Sequence, residues 1–161
     1  MKKITAFFLL VFTASTVFAQ KNDTYEVYAI EFARPHSPWS VKEIALHSTS
    51  KDSVNGVFMT WLLKGNNGRI VLVDAGFHRE SKFFGNWLQH FVRPDSTLQK
   101  MSLRSEDITD VIISHPHWDH IGGVDLFPGA TIWMQKNDYS YFVTDAWQKG
   151  GNPAGFDSSD V

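Results

Sequence analysis

Residues 115–120 read His-Pro-His-Trp-Asp-His and place four potential metal ligands within six positions. Imidazole nitrogen and carboxylate oxygen together suit zinc, whereas a site for a hard cation such as magnesium would be built from oxygens alone. Two such ions about 3.5 to 4 Å apart can share a hydroxide, lower its pKa and stabilise a developing oxyanion. The segment therefore predicts half of a two-metal hydrolytic site.

The order of the four ligands indicates how they are divided between two ions. An apolar run precedes the motif and predicts a strand, and alternate residues of a strand share a face. His115 and His117 should therefore hold one ion, while Asp119 and His120 follow after the chain has turned and should face a second. A solvated histidine cluster without metal is the competing interpretation, and the ordered spacing after an apolar strand argues against it.

The elements that must position this motif are expected to be mostly strands. Alternating or continuous apolar patterns predict strands at residues 25–32, 57–64, 69–74, 111–113 and 130–134. The strand at 69–74 is apolar enough to be buried on both faces, and the strand at 111–113 is also expected to be buried. Residues 65–68, Gly-Asn-Asn-Gly, predict a hairpin turn because glycine and asparagine tolerate positive φ. Gly122 and Gly123 should let the chain turn sharply and pack close behind the ligands.

Helices are expected in fewer places. Apolar residues recur at helical spacing in residues 81–91, which predicts a helix whose aromatic side chains lie in the core. Residues 137–147 are also compatible with a helix, and residues 105–109 with a helix start or a short turn. From residue 150 onwards the chain is polar and rich in glycine, without periodicity.

Composition limits the possible classes of function. The 161 residues are 43% hydrophobic and 20% charged, which is typical of one globular domain. The net charge of −2 gives no indication of a nucleic-acid partner or an anionic membrane surface. The chain has no cysteine, so any metal must be held by histidine and carboxylate, and a cysteine nucleophile is excluded.

The N-terminus has the layout of a bacterial signal peptide. Lys2 and Lys3 precede an apolar run, and Val17 and Ala19 fit the small positions before a cleavage site at Gln20. The apolar run is too short to remain as a membrane anchor, and a buried N-terminal helix is the alternative. We therefore expect a signal peptide at 1–19, a mature domain at 20–161 and a periplasmic or secreted protein.

The motif resembles the signature of the metallo-β-lactamase superfamily, and the similarity covers roughly residues 57–134. Residues 74–76, Asp-Ala-Gly, are similar to the family's strand-end Asp-x-Gly, and residues 107–114 to its lead-in strand. The resemblance implies an α/β (α+β) fold of the αβ/βα sandwich type, in which two sheets face each other with helices outside.

The same resemblance implies a role for each residue that matches the family's motif. His115 and His117 would bind a first zinc ion, and Asp119 and His120 a second. Asp119 would also orient or deprotonate the bridging water. Asp74 would hydrogen-bond to the metal loop, residues 114–120, without binding metal, and a simple turn residue after a strand is its alternative role.

The motif with its following glycines and residues 125–139 most resembles the N-acyl homoserine lactonase-like group of that superfamily. Members of this group open lactone rings, so the resemblance implies a small-molecule substrate and attack by a zinc-bound hydroxide. A β-lactam, a phosphate ester or a sulfate ester remains an alternative substrate, since the same motif region serves those reactions in the superfamily.

Downstream of the motif, the chain departs from the family's pattern. The family uses a third histidine for the first metal, a bridging aspartate and a further histidine, yet no histidine comes after His120. His36, His47, His78 and His90 precede the motif and are expected on the surface or in loops, with His36 and His78 as candidates for lining a pocket. We expect the N-terminal half of the fold, with an uncovered sheet face; a short, catalytically inactive metal-binding protein is the alternative.

Overall fold

The structure, a computed structural model, describes residues 22–83 and 85–161, so the predicted signal peptide at 1–19 lies outside the described residues. The strands are β1 (Tyr25–Pro35), β2 (Trp39–Ser40), β3 (Ser53–Val54), β4 (Phe58–Gly65), β5 (Ile70–Val73), β6 (Leu88–Phe91), β7 (Asp110–Ile113) and β8 (Thr131–Met134). The α-helices are α1 (Val41–Ile44), α2 (Pro94–Thr97), α3 (Trp118–Ile121) and α4 (Lys136–Val143). Short 3-10 helices occupy Leu98–Met101, Ser105–Asp107, Val124–Leu126, Asp145–Trp147 and Ser158–Asp160.

Six of the strands form one mixed sheet in the order β6-β1-β4-β5-β7-β8, and β2 pairs with β3 separately. The pairs on the β6 side are antiparallel, whereas β5, β7 and β8 run parallel to one another. The predicted hairpin turn is confirmed: Gly68 has φ +85° and its N–H donates to the Gly65 carbonyl at 3.2 Å. The predicted α/β class and all five predicted strands of this sheet are confirmed.

The helix predicted at residues 81–91 is wrong. The described residues of this span form turns and then β6, which pairs antiparallel with β1 at the sheet edge; Phe84 lies outside the described residues. The helical spacing of the aromatic residues instead reflects a tertiary cluster, because the Trp87 ring packs 5.6 Å from Phe58 and the Phe91 ring 5.4 Å from Phe77. Packing against distant aromatic rings and strand pairing together outweighed the local periodicity.

One face of the sheet packs against the helices and forms the main core. Buried side chains from β4, β5 and β7 meet those of α3, α4 and the connecting turns. The fully or nearly fully buried members are Leu62, Leu72, Ala75, Leu98, Ile108, Val111, Ile113, Ile121, Phe127 and Phe142. This layer fixes the positions of β5 and β7, whose ends carry the motif.

The opposite face of the sheet carries exposed apolar side chains in a row across neighbouring strands. The register places Trp61 beside Val73, Val73 beside Ile112, and Ile112 beside Trp133. Trp61 is 43% exposed, Ile112 42% and Trp133 52%. The 111–113 strand is therefore buried on one face only, and a row of large apolar groups of this kind is unusual on a protein surface.

Asp110, at the start of β7, is a buried carboxylate that hydrogen-bonds to residues of the neighbouring segments. Its Oδ1 accepts hydrogen bonds from Arg69 Nη2 at 2.5 Å and Trp133 Nε1 at 2.7 Å, and its Oδ2 accepts from Thr109 Oγ1 at 2.7 Å. The hydrogen bond from Arg69 is the main reason that the pKa of Asp110 is lowered to about 2. The ionised carboxyl group is therefore the stable form in the folded chain throughout the neutral range.

Asp110→Asn should lower the free energy of unfolding by about 1.5 kcal/mol at pH 7, because charge-assisted hydrogen bonds are lost. Since the folded pKa lies below the ordinary value of 3.8, the contribution is complete above that value and is lost as the pH falls towards 2. Urea unfolding of both proteins between pH 7 and pH 2.5 measures the difference. A gap that stays constant over this range would contradict the assignment.

None of the helices in the described part of the chain is long and apolar enough to cross a membrane.

Candidate metal centre

The motif lies at the carboxyl end of β7, beside the carboxyl end of β5. Because β5 and β7 are parallel, the residues that follow each strand emerge at the same edge of the sheet. Two backbone hydrogen bonds join these segments: Asp74 N–H donates to the Ile112 carbonyl at 2.8 Å, and Ala75 N–H donates to the His120 carbonyl at 2.7 Å. The sheet therefore brings Asp74 against the metal loop, 40 or more residues away in sequence.

Asp74 accepts three hydrogen bonds from the metal loop. Its Oδ1 accepts from the Ser114 N–H at 2.8 Å, and its Oδ2 accepts from Ser114 Oγ at 2.9 Å and from His120 Nδ1 at 2.7 Å. Asp74 is 8% exposed. These contacts favour the hydrogen-bonding role over that of a simple turn residue.

The backbone of Asp74 adopts a conformation that is unusual for a residue other than glycine, with φ +67°. Thr60, which is buried, stabilises it, since Oγ1 donates to the Asp74 carbonyl at 2.5 Å and lies 3.0 Å from the Val73 carbonyl. Sequence reasoning missed Thr60, because a threonine in a strand gives no sign of which carbonyl its hydroxyl will meet. The strained turn directs the Asp74 carboxylate at the motif.

The four motif ligands form two pairs. His115 Nε2 lies 3.1 Å from His117 Nδ1, and His120 Nε2 lies 3.4 Å from Asp119 Oδ2. Two imidazole nitrogens that face each other at this distance need a proton or a cation between them, so the arrangement suits a shared metal ion. The rings of His115 and His120 also lie 3.9 Å apart, across the two pairs. The division of the four side chains between two ions therefore stays a prediction.

Within residues 22–83 and 85–161, no three histidine or carboxylate side chains are grouped so as to hold one ion. Each pair therefore supplies two ligands, where a catalytic zinc site has three protein ligands and a solvent position. The donor chemistry fits zinc, while the number of donors falls short of a full coordination sphere.

The two pairs differ in the pKa of their histidines. Burial lowers the pKa of His115, and repulsion from His120 and His117 lowers it further, so His115 is neutral near pH 7. Burial also disfavours protonated His120, but its hydrogen bonds with Asp119 and Asp74 outweigh this and raise its pKa to about 9. A metal at the second pair must therefore displace a proton from His120.

The glycines after α3 allow this part of the chain to pack closely against the residues that follow β5. A Cβ atom on Gly123 would lie 2.5 Å from the Ala75 carbonyl oxygen, and one on Gly122 would lie 2.6 Å from the Trp118 carbonyl oxygen. The predicted close packing is confirmed. Neither glycine is among the residues with positive φ, so the close approach rather than an unusual backbone angle requires glycine here.

Gly123→Ala should therefore lower the free energy of unfolding by about 1 to 3 kcal/mol, since the contact is with backbone that cannot rotate away. Gly129→Ala is the matched control, because the nearest atom to its Cβ would be the Glu106 carbonyl oxygen at an ordinary 3.7 Å. Thermal unfolding of both variants checks this. Equal stability of the two variants would show that the loop has room at Gly123.

The C-terminal segment, which carried no pattern in the sequence, contacts the motif. Trp118 N–H donates to the Gly155 carbonyl at 2.9 Å, and the Phe156 ring centroid lies 5.5 Å from that of His117. A Cβ atom on Gly155 would lie 2.9 Å from the His117 ring. In the sequence, only the glycine at position 155 could have indicated this contact. In the structure Gly155 has φ +77°, which favours glycine.

An aromatic cluster adjoins the motif through Trp118. The Trp118 ring lies 4.5 Å from Phe77, 5.3 Å from Phe83 in a stacked arrangement and 6.2 Å from Phe58. Phe77 and its neighbour Phe32 are buried. Of the side chains of residues 81–91 that were expected in the core, Leu88 is buried, Phe91 is partly buried against this cluster, and Trp87 is 38% exposed. The cluster gives the site one apolar side.

The four remaining histidines were expected on the surface or in loops, with His36 and His78 as candidates for lining a pocket, and each of these two lines a cleft. His36, His47 and His90 are exposed. His78 is partly exposed and its Nε2 lies 2.7 Å from Asp125 Oδ1, at a cleft of about 670 Å³ that also contains Lys82 and Asp160.

Comparison with known proteins places this site in a family. A sequence model of the Metallo-beta-lactamase superfamily matches residues 56–143. The N-acyl homoserine lactonase of Bacillus cereus is 32% identical over an alignment of 92 positions, and the alignment covers 49% of this chain and 36% of that enzyme. Relatives of the lactonase-like group are thus found, as the motif resemblance predicted.

Solved structures agree at the level of the fold. A quorum-quenching N-acyl homoserine lactone lactonase superposes with a TM-score of 0.59 at 22% identity, covering 80% of this chain and 52% of the other. AidC, a dizinc quorum-quenching lactonase, superposes with a TM-score of 0.52 at 21% identity, covering 76% and 45%. The chain spans about half the length of these solved structures. Since the family's sequence model covers more than half of the chain, the chain belongs to the metallo-β-lactamase superfamily.

Proposed function

We propose that this chain is the metal-binding N-terminal half of an exported zinc hydrolase that opens lactone rings. The observation that carries the proposal is the pair of facing donor sets, His115 with His117 and Asp119 with His120, at one strand end. The Bacillus cereus relative, a lactonase, and the fold shared with AidC, a dizinc lactonase, support it.

In this proposal His115 and His117 hold one zinc ion, and Asp119 and His120 hold a second. When bound, the ions supply a hydroxide at neutral pH and polarise the carbonyl group that it attacks. Burial disfavours ionisation of Asp119, but its hydrogen bond with His120 outweighs this and lowers the pKa of Asp119. Asp119 is therefore a carboxylate that can orient the attacking water and accept its proton.

The other residues of the site keep these groups in place and shape the substrate side. Asp74 orients His120 through Nδ1 and leaves Nε2 beside Asp119, where the two side chains would hold the second ion. Trp118 extends the aromatic cluster to the motif, which suits a substrate with an apolar acyl substituent next to the scissile carbonyl.

The test is chelation and metal replacement, carried out on the protein as its host expresses it. Exhaustive treatment with EDTA should abolish hydrolysis of an N-acyl homoserine lactone, and Zn²⁺ should restore it. A panel with a β-lactam, a phosphate ester and a sulfate ester separates the substrate classes. Normal turnover after complete chelation would refute a metal-dependent mechanism.

A non-catalytic metal-binding protein is the second candidate, because the described residues offer only two donors to each ion. Metal analysis after dialysis distinguishes the two. Two tightly bound zinc ions per chain favour the enzyme, whereas one weakly bound ion or none favours the binding protein. N-terminal sequencing of the secreted or periplasmic protein tests export, and Gln20 is the expected first residue.

A further inference from the structure

Ser114 lies between Asp74 and the first histidine of the motif, and nothing in the motif itself assigns it a role. Its Oγ lies 2.9 Å from Asp74 Oδ2, 3.1 Å from His115 Nδ1 and 3.4 Å from His120 Nδ1. We infer that Ser114 is a positioning residue whose hydroxyl fixes the tautomer of His115 and thereby directs Nε2 to the metal. The inference rests on the proposed metal centre.

The number of available protons decides the direction of each hydrogen bond. An ionised carboxylate only accepts hydrogen bonds, so the single hydroxyl proton of Ser114 points to Asp74. Both carboxylate oxygens of Asp74 are engaged as acceptors, Oδ1 by the Ser114 N–H at 2.8 Å and Oδ2 by His120 Nδ1 at 2.7 Å, as expected of a carboxylate. The hydroxyl oxygen can then only accept from His115, so the proton of the neutral ring must be on Nδ1.

A proton on Nδ1 leaves the lone pair of His115 on Nε2, the atom that faces His117 Nδ1 at 3.1 Å. His120 is arranged in the same way, since its Nδ1 donates directly to Asp74 and its Nε2 faces Asp119. The carboxylate of Asp74 therefore controls one ligand of each pair, His120 directly and His115 through the hydroxyl of Ser114.

The hydroxyl can be removed without releasing the loop. The backbone N–H of Ser114 donates separately to Asp74 Oδ1 at 2.8 Å, and Ser114 is itself an exposed residue. Ser114→Ala should therefore change the tautomer of His115 and the affinity for metal, while the chain keeps its fold. Ser114→Thr keeps a hydroxyl on the same carbon and should retain both properties.

The first experiment reads the tautomer directly. Long-range ¹H–¹⁵N spectra of the metal-free protein, recorded above the pKa of His115, should show the Nδ1–H form of His115 in the wild type and in Ser114→Thr. Ser114→Ala should lose that preference. An Nε2–H form of His115 in the wild type would overturn the inference.

The second experiment measures zinc affinity against a competing chelator, with the visible spectrum of the Co²⁺-substituted protein as a check on coordination. Ser114→Ala should weaken zinc binding by about tenfold, the effect typical of a group that orients a ligand, and alter the Co²⁺ spectrum. Ser114→Thr should restore both, and Ser37→Ala, at an exposed serine far from the motif in sequence, serves as the control. Unchanged affinity in Ser114→Ala would also overturn the inference.

These outcomes are separable from the proposed function. If the wild type binds zinc but opens no lactone, the proposed function fails, while the effect of Ser114 on tautomer and affinity still stands. If the lactone is hydrolysed and Ser114→Ala binds zinc as the wild type does, only the role of Ser114 fails.

Discussion

Under the proposed function, His117→Ala should reduce the bound zinc from two ions to one at most and lower lactone hydrolysis by about a thousandfold. His117 Nδ1 faces His115 Nε2 at 3.1 Å, so its loss leaves the first ion a single protein ligand among the described motif residues. A Lewis-acid metal supplies several kcal/mol of transition-state stabilisation, and each 1.4 kcal/mol is about a tenfold change in rate. Metal analysis and turnover of the naturally expressed protein measure both effects.

The control for His117→Ala is His90→Ala, which removes an exposed histidine of the edge strand β6. It should leave zinc content and turnover unchanged. Two zinc ions retained by His117→Ala would show that the motif does not hold the first metal. Loss of zinc without loss of turnover would separate metal binding from the reaction and contradict the hydrolytic mechanism.

Asp74→Ala is expected to have the largest effect on the metal-free fold, lowering the free energy of unfolding by about 3 kcal/mol. The substitution removes the acceptor for both bonds of Ser114 and for His120 Nδ1, and leaves alanine at φ +67°. Asp74→Asn should cost less, because asparagine tolerates the left-handed region and can still accept hydrogen bonds. Urea unfolding in the presence of EDTA measures both variants.

The pH dependence of this difference has a definite sign. The pKa of Asp74 is lowered, so its contribution is present above its ordinary value of 3.8 and is lost as the solution becomes more acidic. The pKa of His120 is raised to about 9, so its contribution is complete below its ordinary value of 6.5 and is lost as the pH rises through about 9. The gap between wild type and Asp74→Ala should therefore be largest near pH 5 to 6.

Asp125→Ala is the matched control for Asp74→Ala. Asp125 also lies 2.7 Å from a histidine, His78, yet its side chain is 71% exposed, whereas that of Asp74 is 12% exposed. An exposed pair of this kind contributes little to stability, so the variant should differ from wild type by less than about 1 kcal/mol. Equal losses for Asp74→Ala and Asp125→Ala would contradict the role given to burial and to the metal loop.

The sequence pattern predicted the structure correctly where neighbouring residues of one segment decide its conformation. The motif at residues 115–120 presented its donors in two pairs because their spacing along a strand end and one helical turn decides which side chains can meet. The strands and the hairpin at residues 65–68 followed from alternation and from residues that tolerate positive φ. The helix predicted at residues 81–91 was wrong, because the apolar side chains of this segment pack against distant rings and its last residues pair with β1. The spacing of residues within the segment does not encode either contact.

The sequence by itself determined the superfamily, the strands that lead to the motif and the positions of the four candidate ligands within it. Only the tertiary structure decided that Asp74 reaches Ser114 and His120, that Thr60 supports the Asp74 turn and that Gly155 lies against His117. Asp74 meets Ser114 and His120 because β5 and β7 are parallel neighbours. Thr60 reaches the Asp74 carbonyl from β4, the antiparallel neighbour of β5, and Gly155 comes from the C-terminal segment, which packs against the motif. The spacing of residues within the motif places the candidate ligands next to one another. The pairing of strands brings the groups that orient them, such as Asp74, into contact with the motif.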